Sequence, residues 1–547
     1  MIALAKIALY AWVPFVLLVF AVMKPRRAVI FAYVGGWLFL PMLSINFSGI
    51  PDLTKITASS FGVLLGAGLF DYKTLLKFRP SLYDLPIVAW CVSPFFTSIV
   101  NDLGVYDGVS SIVQQLGLWG IPYFIGRVYF ADMEGFTELG IGIIIGALVY
   151  LPFCYLEMVI SPLLHKYIYG FVQHSIAQAK RWGAFRPMVF MQSSLALAMY
   201  MTTAVLIAFW LWVTKAQKKI MGMPILWVVG ILVVTQILCK TMAATAFMFM
   251  GIAALYWIKW MGKSGGLIAG LPILALAIAP AVYMYARASE LVNKDTILTA
   301  MGTFTSDDRL VSLEVRLKAE DLVTAQALSA PNPWWGWGKW DPNDTRRTPW
   351  RVYMEYEKKG LDGMPTRIVR DIAPTDGLWI ITMGQYGLIG VTALTLTIIL
   401  PAFVLWKRVP LKFWAHPAVA TAAAMAILLL LHMIDNLLNG MINSLYLLAL
   451  GGLCGIVPIV RKTSRLYGPA AAIATLNQHL PGSAGLPSPY GAFPVQPPPG
   501  QGPAYGLPTG FPPVVPAAYS PAQPGGGAFP SLAGLQAGPI PQPRRRR

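Results

Sequence analysis

Thirteen apolar stretches, most of them close to the length that crosses a membrane, recur along this chain of 547 residues. A membrane-spanning helix needs about 20 residues, because the hydrocarbon core is roughly 30 Å thick and each residue rises about 1.5 Å. The stretches lie at approximately 2–22, 28–44, 55–70, 83–100, 109–130, 136–157, 187–213, 221–239, 241–258, 267–285, 376–406, 413–432 and 444–460. With 56% hydrophobic and 12% charged residues, the chain is excluded from the soluble globular class, whose members carry about 25% charged residues. The sequence predicts an all-α integral membrane protein with about 13 transmembrane helices.

Basic clusters orient these spans. They follow alternate spans, as the loops of the cytoplasmic side do. The clusters are Lys24/Arg26/Arg27, Lys73/Lys77/Arg79, Lys215/Lys218/Lys219, Lys259/Lys263, Lys407/Arg408/Lys412 and Arg461/Lys462/Arg465. The N-terminus is therefore expected outside, and the first span is expected to stay as a signal anchor because no cleavage site follows it. A membrane domain over 1–463 and a cytoplasmic C-terminal tail over 464–547 result.

The tail differs in composition, since Pro, Gly, Ala and Ser dominate it and four arginines end it at 544–547. Such a segment buries too little apolar surface to fold, so we expect disorder. Its arginines would either bind anionic lipid or only keep the tail soluble.

The longest polar segment lies between two apolar spans, at about 286–375, and carries 13 acidic and 13 basic side chains. Its charge is balanced while the whole chain is at +18. This balance predicts a folded extracytoplasmic cap. The four cysteines, Cys91, Cys154, Cys239 and Cys454, fall inside apolar runs without paired spacing, which indicates packing residues and neither disulfides nor a zinc site.

A second outer loop, at about 161–186, is unusually basic. It holds His165, Lys166, His174, Lys180, Arg181 and Arg186. An anionic ligand would explain positive charge on this side, although neighbouring anchored spans can also override the charge rule.

Arg186 stands where this loop meets an apolar span, and Lys240 lies in a short hairpin between two apolar runs. Ionisable residues at membrane depth are functional candidates, and a guanidinium can grip a phosphate in bidentate fashion. Arg186 is otherwise an anchor at the membrane interface, and Lys240 otherwise only faces the surface.

The cap contains a predicted amphipathic helix that starts at Ser306 or Asp307. Arg309 and Arg316 are seven residues apart and thus share a face, from which both can reach a phosphate. Ordinary pairing along the helix is the alternative for Arg316.

Four indoles lie within seven residues after this helix, including Trp335 and Trp337. Indoles stack on sugar faces and also line membrane interfaces, and both interpretations stay open. Asp341 and Asp344 resemble part of a calcium loop but lack its glutamate, so no metal site is predicted. Asp376 ends the cap, as a candidate general base or as a helix cap.

Several weak motifs occur in a suggestive order over about residues 50–455. They are Ile50-Pro-Asp-Leu-Thr-Lys55, Arg186-Pro187, the hairpin at Lys240, the helix with Arg309 and Arg316, Gly336-Trp-Gly338, Asp376-Gly-Leu-Trp-Ile380 and Gly384-Gln-Tyr-Gly-Leu-Ile-Gly390. Together they resemble the O-antigen ligase and polymerase superfamily of polytopic bacterial membrane glycosyltransferases.

The resemblance implies a GT-C-like helical fold in the bacterial inner membrane and a glycosyltransferase that uses neither metal nor cofactor. Its donor would be a polyprenyl-diphosphate-linked glycan, and its acceptor would be a glycan or a lipid. Its other partners would be membrane lipids, and no nucleic acid is expected as a partner. Arg186, Arg309 and Arg316 would bind the donor diphosphate, helped by Lys240 and Arg181. Trp335 and Trp337 would stack on sugars.

The chain departs from that family at the expected base. The family usually has a histidine where Asp376 stands, so Asp376, His174 or His165 would have to act as base here. The lost histidine also favours a rival hypothesis, a non-catalytic polysaccharide transporter or assembly factor.

Overall fold

A computed structural model of the chain describes residues 2–47, 51–174, 179–181, 183–263, 266–303, 307–339, 353–359, 365–371 and 376–477. Across these residues the fold is almost wholly helical, and nine helices are long and apolar enough to cross a membrane. The chain is therefore an all-α, multi-pass membrane protein. The predicted count of about 13 spans is not confirmed, because several predicted spans coincide with shorter or divided helices.

Nineteen helices follow one another along the described part of the chain. The first nine are α1 (Ile2–Val22), α2 (Pro25–Phe39), α3 (Lys55–Phe70), α4 (Tyr72–Leu75), α5 (Leu85–Val100), α6 (Val105–Gln115), α7 (Ile121–Tyr129), α8 (Met133–Ile160) and α9 (Leu164–Tyr169). The next ten are α10 (Ser194–Val213), α11 (Ile225–Leu238), α12 (Met242–Met261), α13 (Gly266–Ala288), α14 (Lys294–Gly302), α15 (Asp307–Ser329), α16 (Leu378–Arg408), α17 (Ala420–Leu438), α18 (Ser444–Gly455) and α19 (Ile459–Asn477).

Strands occur only in connections within the described ranges. Three antiparallel pairs form: β1 (Lys180–Arg181) with β2 (Ala184–Phe185), β3 (Lys219–Ile220) with β4 (Met223–Pro224), and β5 (Tyr353–Lys359) with β6 (Pro365–Asp371). The third pair belongs to the cap, together with α14 and α15.

Two of the predicted spans are divided or clearly shortened in the structure. The stretch 109–130 is divided into α6, a π-helical turn at Leu116–Gly120 and α7, and Pro122 lacks the N–H that a continuous helix would donate there. The stretch 187–213 becomes helical only at Ser194, where the Ser193 side chain accepts a hydrogen bond from the N–H of Ala196 and caps α10.

The centre of the bundle is formed by α10 and α17. In their membrane-length windows 83% and 89% of residues are buried, against 22% for α1. Small residues allow close approach here, since a Cβ on Gly140 of α8 would lie 2.5 Å from Thr421 of α17. Residues at one end of these two helices belong to the candidate site described below.

The Trp-rich segment after α15 enters a kink of α16. Gly387 has φ +64° within α16, and the N–H groups of Leu388 and Ile389 bond to the carbonyls of Pro333 and Trp334 instead of helical partners. The N–H of Trp337 in turn bonds to the carbonyl of Gly384 at 2.9 Å. Glycine is needed at 387 because the Cβ of any other residue at this position would lie 2.4 Å from the Trp334 backbone.

The last helix extends past residue 464, where the tail is predicted to begin. The composition predicts disorder from residue 464, but α19 continues to Asn477 and buries Ala472 and Leu476. Apolar side chains of the Ala-rich stretch 470–476 thus still pack on the bundle. Residues 478–547 lie outside the described part of the chain.

Candidate active site

Arg316 and Asp376, predicted in separate roles, form an ion pair. The Arg316 Nε donates to Asp376 Oδ2 at 2.9 Å, from the middle of α15 to the residue two before α16. The arginine side chain is 35% exposed and the aspartate 62%, so a ligand from solvent can reach both. The end of the bundle that carries this pair and the cap is called the cap face below.

A buried charge cluster fixes α15 over the membrane helices. Arg287, at the end of α13, donates to Glu320 Oε2 at 3.2 Å and to Asp321 Oδ1 at 2.5 Å. Tyr283 also donates to Glu320, at 2.9 Å. Burial raises the pKa of Glu320 and of Asp321 above their usual values although the Arg287 guanidinium acts in the opposite direction. The cluster sets where Arg316, one turn earlier, is held.

Asp376 lies against the end of α17. The N–H of Leu378 bonds to the carbonyl of Asn439 at 3.2 Å, and a Cβ on Gly440 would meet the Asp376 carbonyl at 2.9 Å. A side chain at 377 would also meet the Leu437 carbonyl, at 2.6 Å. Glycines on both sides therefore allow α17 and the start of α16 to approach closely at the candidate base.

Three buried polar residues of α17 lie just below this junction, and the sequence analysis missed them as a group. His432, Asp435 and Asn436 are at most 7% exposed and are spaced to share one helix face. His432 Nδ1, Asp435 Oδ2 and Asn436 Oδ1 have no hydrogen-bond partner among the described residues. Buried polar atoms are nearly always satisfied, so this group indicates a place that a polar ligand or water completes.

The available signal was the spacing of these three residues within an apolar span. The predicted span ends at residue 432 and leaves Asp435 to an outer loop, whereas α17 continues to Leu438. Polar residues at membrane depth face the protein interior and are functional candidates by default.

Arg186 is buried and bonded within the protein. It is 6% exposed, its Nη2 donates to Thr241 Oγ1 at 2.7 Å, and its Nε donates to the Cys239 carbonyl at 3.3 Å. The short hairpin between α11 and α12 therefore receives the guanidinium. Lys240 in that hairpin donates to the Arg181 carbonyl at 3.0 Å, so the structure brings Arg181, Arg186 and Lys240 together.

The segment that follows Arg186 is held by side chains that sequence reasoning did not select. Glu157 of α8 is fully buried, and its Oε2 accepts from the N–H groups of Met188 and Val189, each at 2.7 Å. Lys55 donates to the Phe190 carbonyl at 3.3 Å, and Tyr150 accepts from the Phe190 N–H at 2.9 Å. This irregular backbone is stable at membrane depth because its polar groups are satisfied by the protein.

Contacts along the start of α10 connect Arg186 with the Arg316–Asp376 pair. Ser194 Oγ donates to the Arg186 carbonyl at 3.5 Å, and Ser193 contacts the Met441 sulfur at 4.0 Å. Met441 directly follows Gly440, which packs on Asp376. Arg186 and the Arg316–Asp376 pair thus lie on the same face of the bundle.

The two candidate histidines differ. His165 is fully buried; its Nε2 accepts from the Met42 N–H at 3.2 Å, and its Nδ1 is 2.9 Å from the Phe171 carbonyl, to which it donates in that tautomer. Burial lowers the pKa of His165, and Lys55 lowers it further. These bonds and the burial of His165 favour a structural role over that of base, while His174 is partly exposed and stays a candidate.

The two candidate sugar-stacking indoles also differ. Trp335 is half-buried beside Phe96, with ring centroids 5.1 Å apart. Trp337 is only 4% exposed, and its ring packs on Gly384. The structure gives Trp337 a packing role and leaves part of the Trp335 ring accessible.

Three further residues named from the sequence lie partly or wholly outside the described residues. Arg309 lies in the first turn of α15, two turns before Arg316, but its side chain is outside the described part. Asp341 and Asp344 lie wholly outside it. Among described residues no group of three or more His, Cys, Asp or Glu is placed to hold a metal ion.

Comparison with known proteins gave no relatives: no family model, no curated protein and no solved structure matches this chain.

Proposed function

We propose that the chain is a glycosyltransferase of the O-antigen ligase or polymerase type, which joins a polyprenyl-diphosphate-linked glycan to an acceptor sugar. The observation that carries the proposal is the exposed Arg316–Asp376 pair, at 2.9 Å, above the incompletely bonded polar group of α17. An arginine and a carboxylate in contact supply an anion-binding group and a base to one substrate.

The pair suggests how the donor activates the base. A diphosphate competes with Asp376 for the Arg316 guanidinium, because phosphate oxygens suit its fork geometry at least as well. Asp376, released, accepts the proton of the acceptor hydroxyl. The acceptor oxygen then bonds to the anomeric carbon with inversion while the bond from that carbon to the diphosphate oxygen breaks.

The leaving diphosphate gains charge in this step, and fixed cations next to it lower the barrier. Arg316 is the first candidate. Arg309 is the second because it lies two turns away on the same helix. Arg186, Arg181 and Lys240 make the cap face basic and would hold the donor, while Trp335 would stack on a sugar.

We place the protein in the bacterial inner membrane with the cap face outside, the N-terminus outside and the C-terminus in the cytoplasm. The basic clusters between alternate spans support this orientation. It would put the chemistry where lipid-linked glycans of the envelope are assembled.

The second candidate function is a non-catalytic transporter or assembly factor. Arg186 favours it, since this arginine is buried and bonded to Thr241 and Cys239 of the protein itself. A purely structural arginine would leave the basic face without its expected donor clamp.

The test is glycan profiling of a deletion strain complemented with single variants. We expect Asp376→Asn and Arg316→Ala to insert in the membrane, to yield no polymer or ligated glycan and to accumulate polyprenyl-linked units. Lys318→Ala is the matched control, because Lys318 pairs with Glu314 on the same helix at 2.7 Å and is similarly exposed. Full complementation by both site variants would reject transfer at this pair and favour the transport function.

A further inference from the structure

A cleft of about 350 Å³ opens between the start of α16, α5 and the broken helix α6–α7. Its walls include Leu378, Ile381 and Gln385, which succeed one another along one side of α16. Leu378 is two residues after Asp376, so one end of the cleft lies close to the proposed base.

An aromatic cluster forms the floor of the cleft. Trp90 of α5 contacts Trp119 and Tyr386 edge to face, with ring centroids 5.4 and 5.5 Å apart. Trp90 is 3% exposed, and its Nε1–H has no acceptor among the described residues. A buried indole N–H without a partner carries a free-energy cost that a hydroxyl oxygen in the cleft would remove.

The remaining polar lining is mostly neutral. Among the described residues it consists of Ser111, Gln114, Gln115, Thr382 and Gln385, with Lys339 as the one charged side chain. Gln114 uses its Oε1 for the N–H of Asp52, at 2.9 Å, which fixes its amide. Amides and hydroxyls around aromatic rings suit a ligand rich in hydroxyl groups and without strong charge.

We infer that this cleft binds a pyranose ring of the glycan substrate, and this inference rests on the proposed function. A sugar offers C–H faces to the indoles and hydroxyls to Trp90 Nε1 and the glutamines. A polyprenyl chain of the same bulk would leave the indole donor unsatisfied and would strip water from five neutral polar side chains without replacing it. Its position beside Asp376 would hold the sugar that reacts.

The first experiment places a photo-crosslinker, p-benzoylphenylalanine, at Ser111 of the full chain in membranes of its native host. Val113, two residues further on α6 and 38% exposed, is the matched control outside the lining. We expect an adduct at 111 whose fragmentation places the bond on a sugar ring, and only phospholipid adducts at 113. An adduct on an isoprenoid chain, or no glycan adduct at 111, would overturn the inference.

The second experiment adds Trp90→Phe to the protein with the crosslinker at 111. Phenylalanine keeps one aromatic ring in the cluster and removes the unpartnered N–H together with the second ring, so the sugar-linked yield should fall about three- to tenfold and thermal stability should fall modestly. Trp414→Phe is the control, because Trp414 Nε1 donates to the Val409 carbonyl at 3.1 Å; it should lower stability and leave the yield unchanged. Equal yields with and without the Trp90→Phe substitution would show that the indole donor binds no sugar.

These outcomes are distinct from failure of the proposed function. A sugar adduct at 111 together with full complementation by both Asp376→Asn and Arg316→Ala would keep the cleft and reject transfer at the Arg316–Asp376 pair. Loss of product in Asp376→Asn without any sugar adduct at 111 would keep the transferase and reject the cleft.

Discussion

Arg316 Nε lies 2.9 Å from Asp376 Oδ2, so the cation of the cap helix and the carboxylate that precedes α16 neutralise each other when no ligand is present. Neither side chain is buried, and an exposed pair contributes only about 0–1 kcal/mol to stability. A pair of such low energetic value is easily opened by a competing anion. This arrangement suits a site that exchanges an internal partner for a substrate.

The exposure of this pair makes a charge exchange informative. The double variant Arg316→Asp with Asp376→Arg should keep the ion pair and change the free energy of unfolding by less than about 1 kcal/mol. It should nevertheless remain inactive, because the base and the anion-binding group have changed places. Glycan profiling and thermal unfolding of the purified protein measure the two effects. Recovery of product by the double variant, with both single variants inactive, would show that only the pairing matters.

The anchor of α15 should be far more sensitive. Arg287→Ala leaves Glu320, 3% exposed, without its cation, and breaking such a buried pair costs about 3–5 kcal/mol. We expect earlier proteolysis within residues 307–329 and lower activity, since Arg316 loses its position. Lys294→Ala is the control, because Lys294 meets a 75% exposed Asp295 at 3.4 Å and should matter little. Wild-type protease resistance in the Arg287 variant would show that α15 is held by its apolar contacts alone.

The helix bounds that depend on local composition could be predicted from the sequence. The bounds of α1 and α3 agree with the predicted 2–22 and 55–70, because the apolar length and, for α3, the Thr54 cap are local. The contact between Arg316 and Asp376 could not be predicted from the sequence, since 60 residues separate the two and neither motif specifies how α15 packs.

Other contacts could not be predicted because they involve backbone groups, which a sequence pattern does not specify. Glu157 bonds to the N–H groups of Met188 and Val189, and the kink at Gly387 takes its hydrogen bonds from the Trp-rich segment. His432, Asp435 and Asn436 did carry a readable spacing. That signal was lost because the predicted span stopped at 432, six residues before α17 ends.

His165 gives a pH prediction. The pKa of the folded imidazole is lowered below its usual 6.5 by burial, so the folded protein binds this proton less readily than the unfolded chain. Neutral His165 therefore contributes its full stabilisation of the fold above about pH 6.5, and this contribution is lost as pH falls below that value. Unfolding temperatures between pH 7.5 and 5 should decline in wild type and decline less in His165→Gln. Parallel declines in both proteins would assign the pH dependence to other groups.

Gly387 provides the sharpest test of the inserted Trp-rich segment. Gly387→Ala places a methyl group 2.4 Å from the Trp334 backbone at a φ of +64°, so strain and a backbone clash act together. Gly222→Ala is the matched control, because it has φ +80° and open space around the new Cβ, and it isolates the conformational cost of about 1 kcal/mol. We expect the Gly387 variant to lose clearly more stability than the control and to lose activity, since the displaced segment carries Trp335 and borders the cleft at Lys339. Thermal unfolding and glycan profiling measure both. Equal loss in the two variants would mean that the segment does not occupy the kink in the membrane.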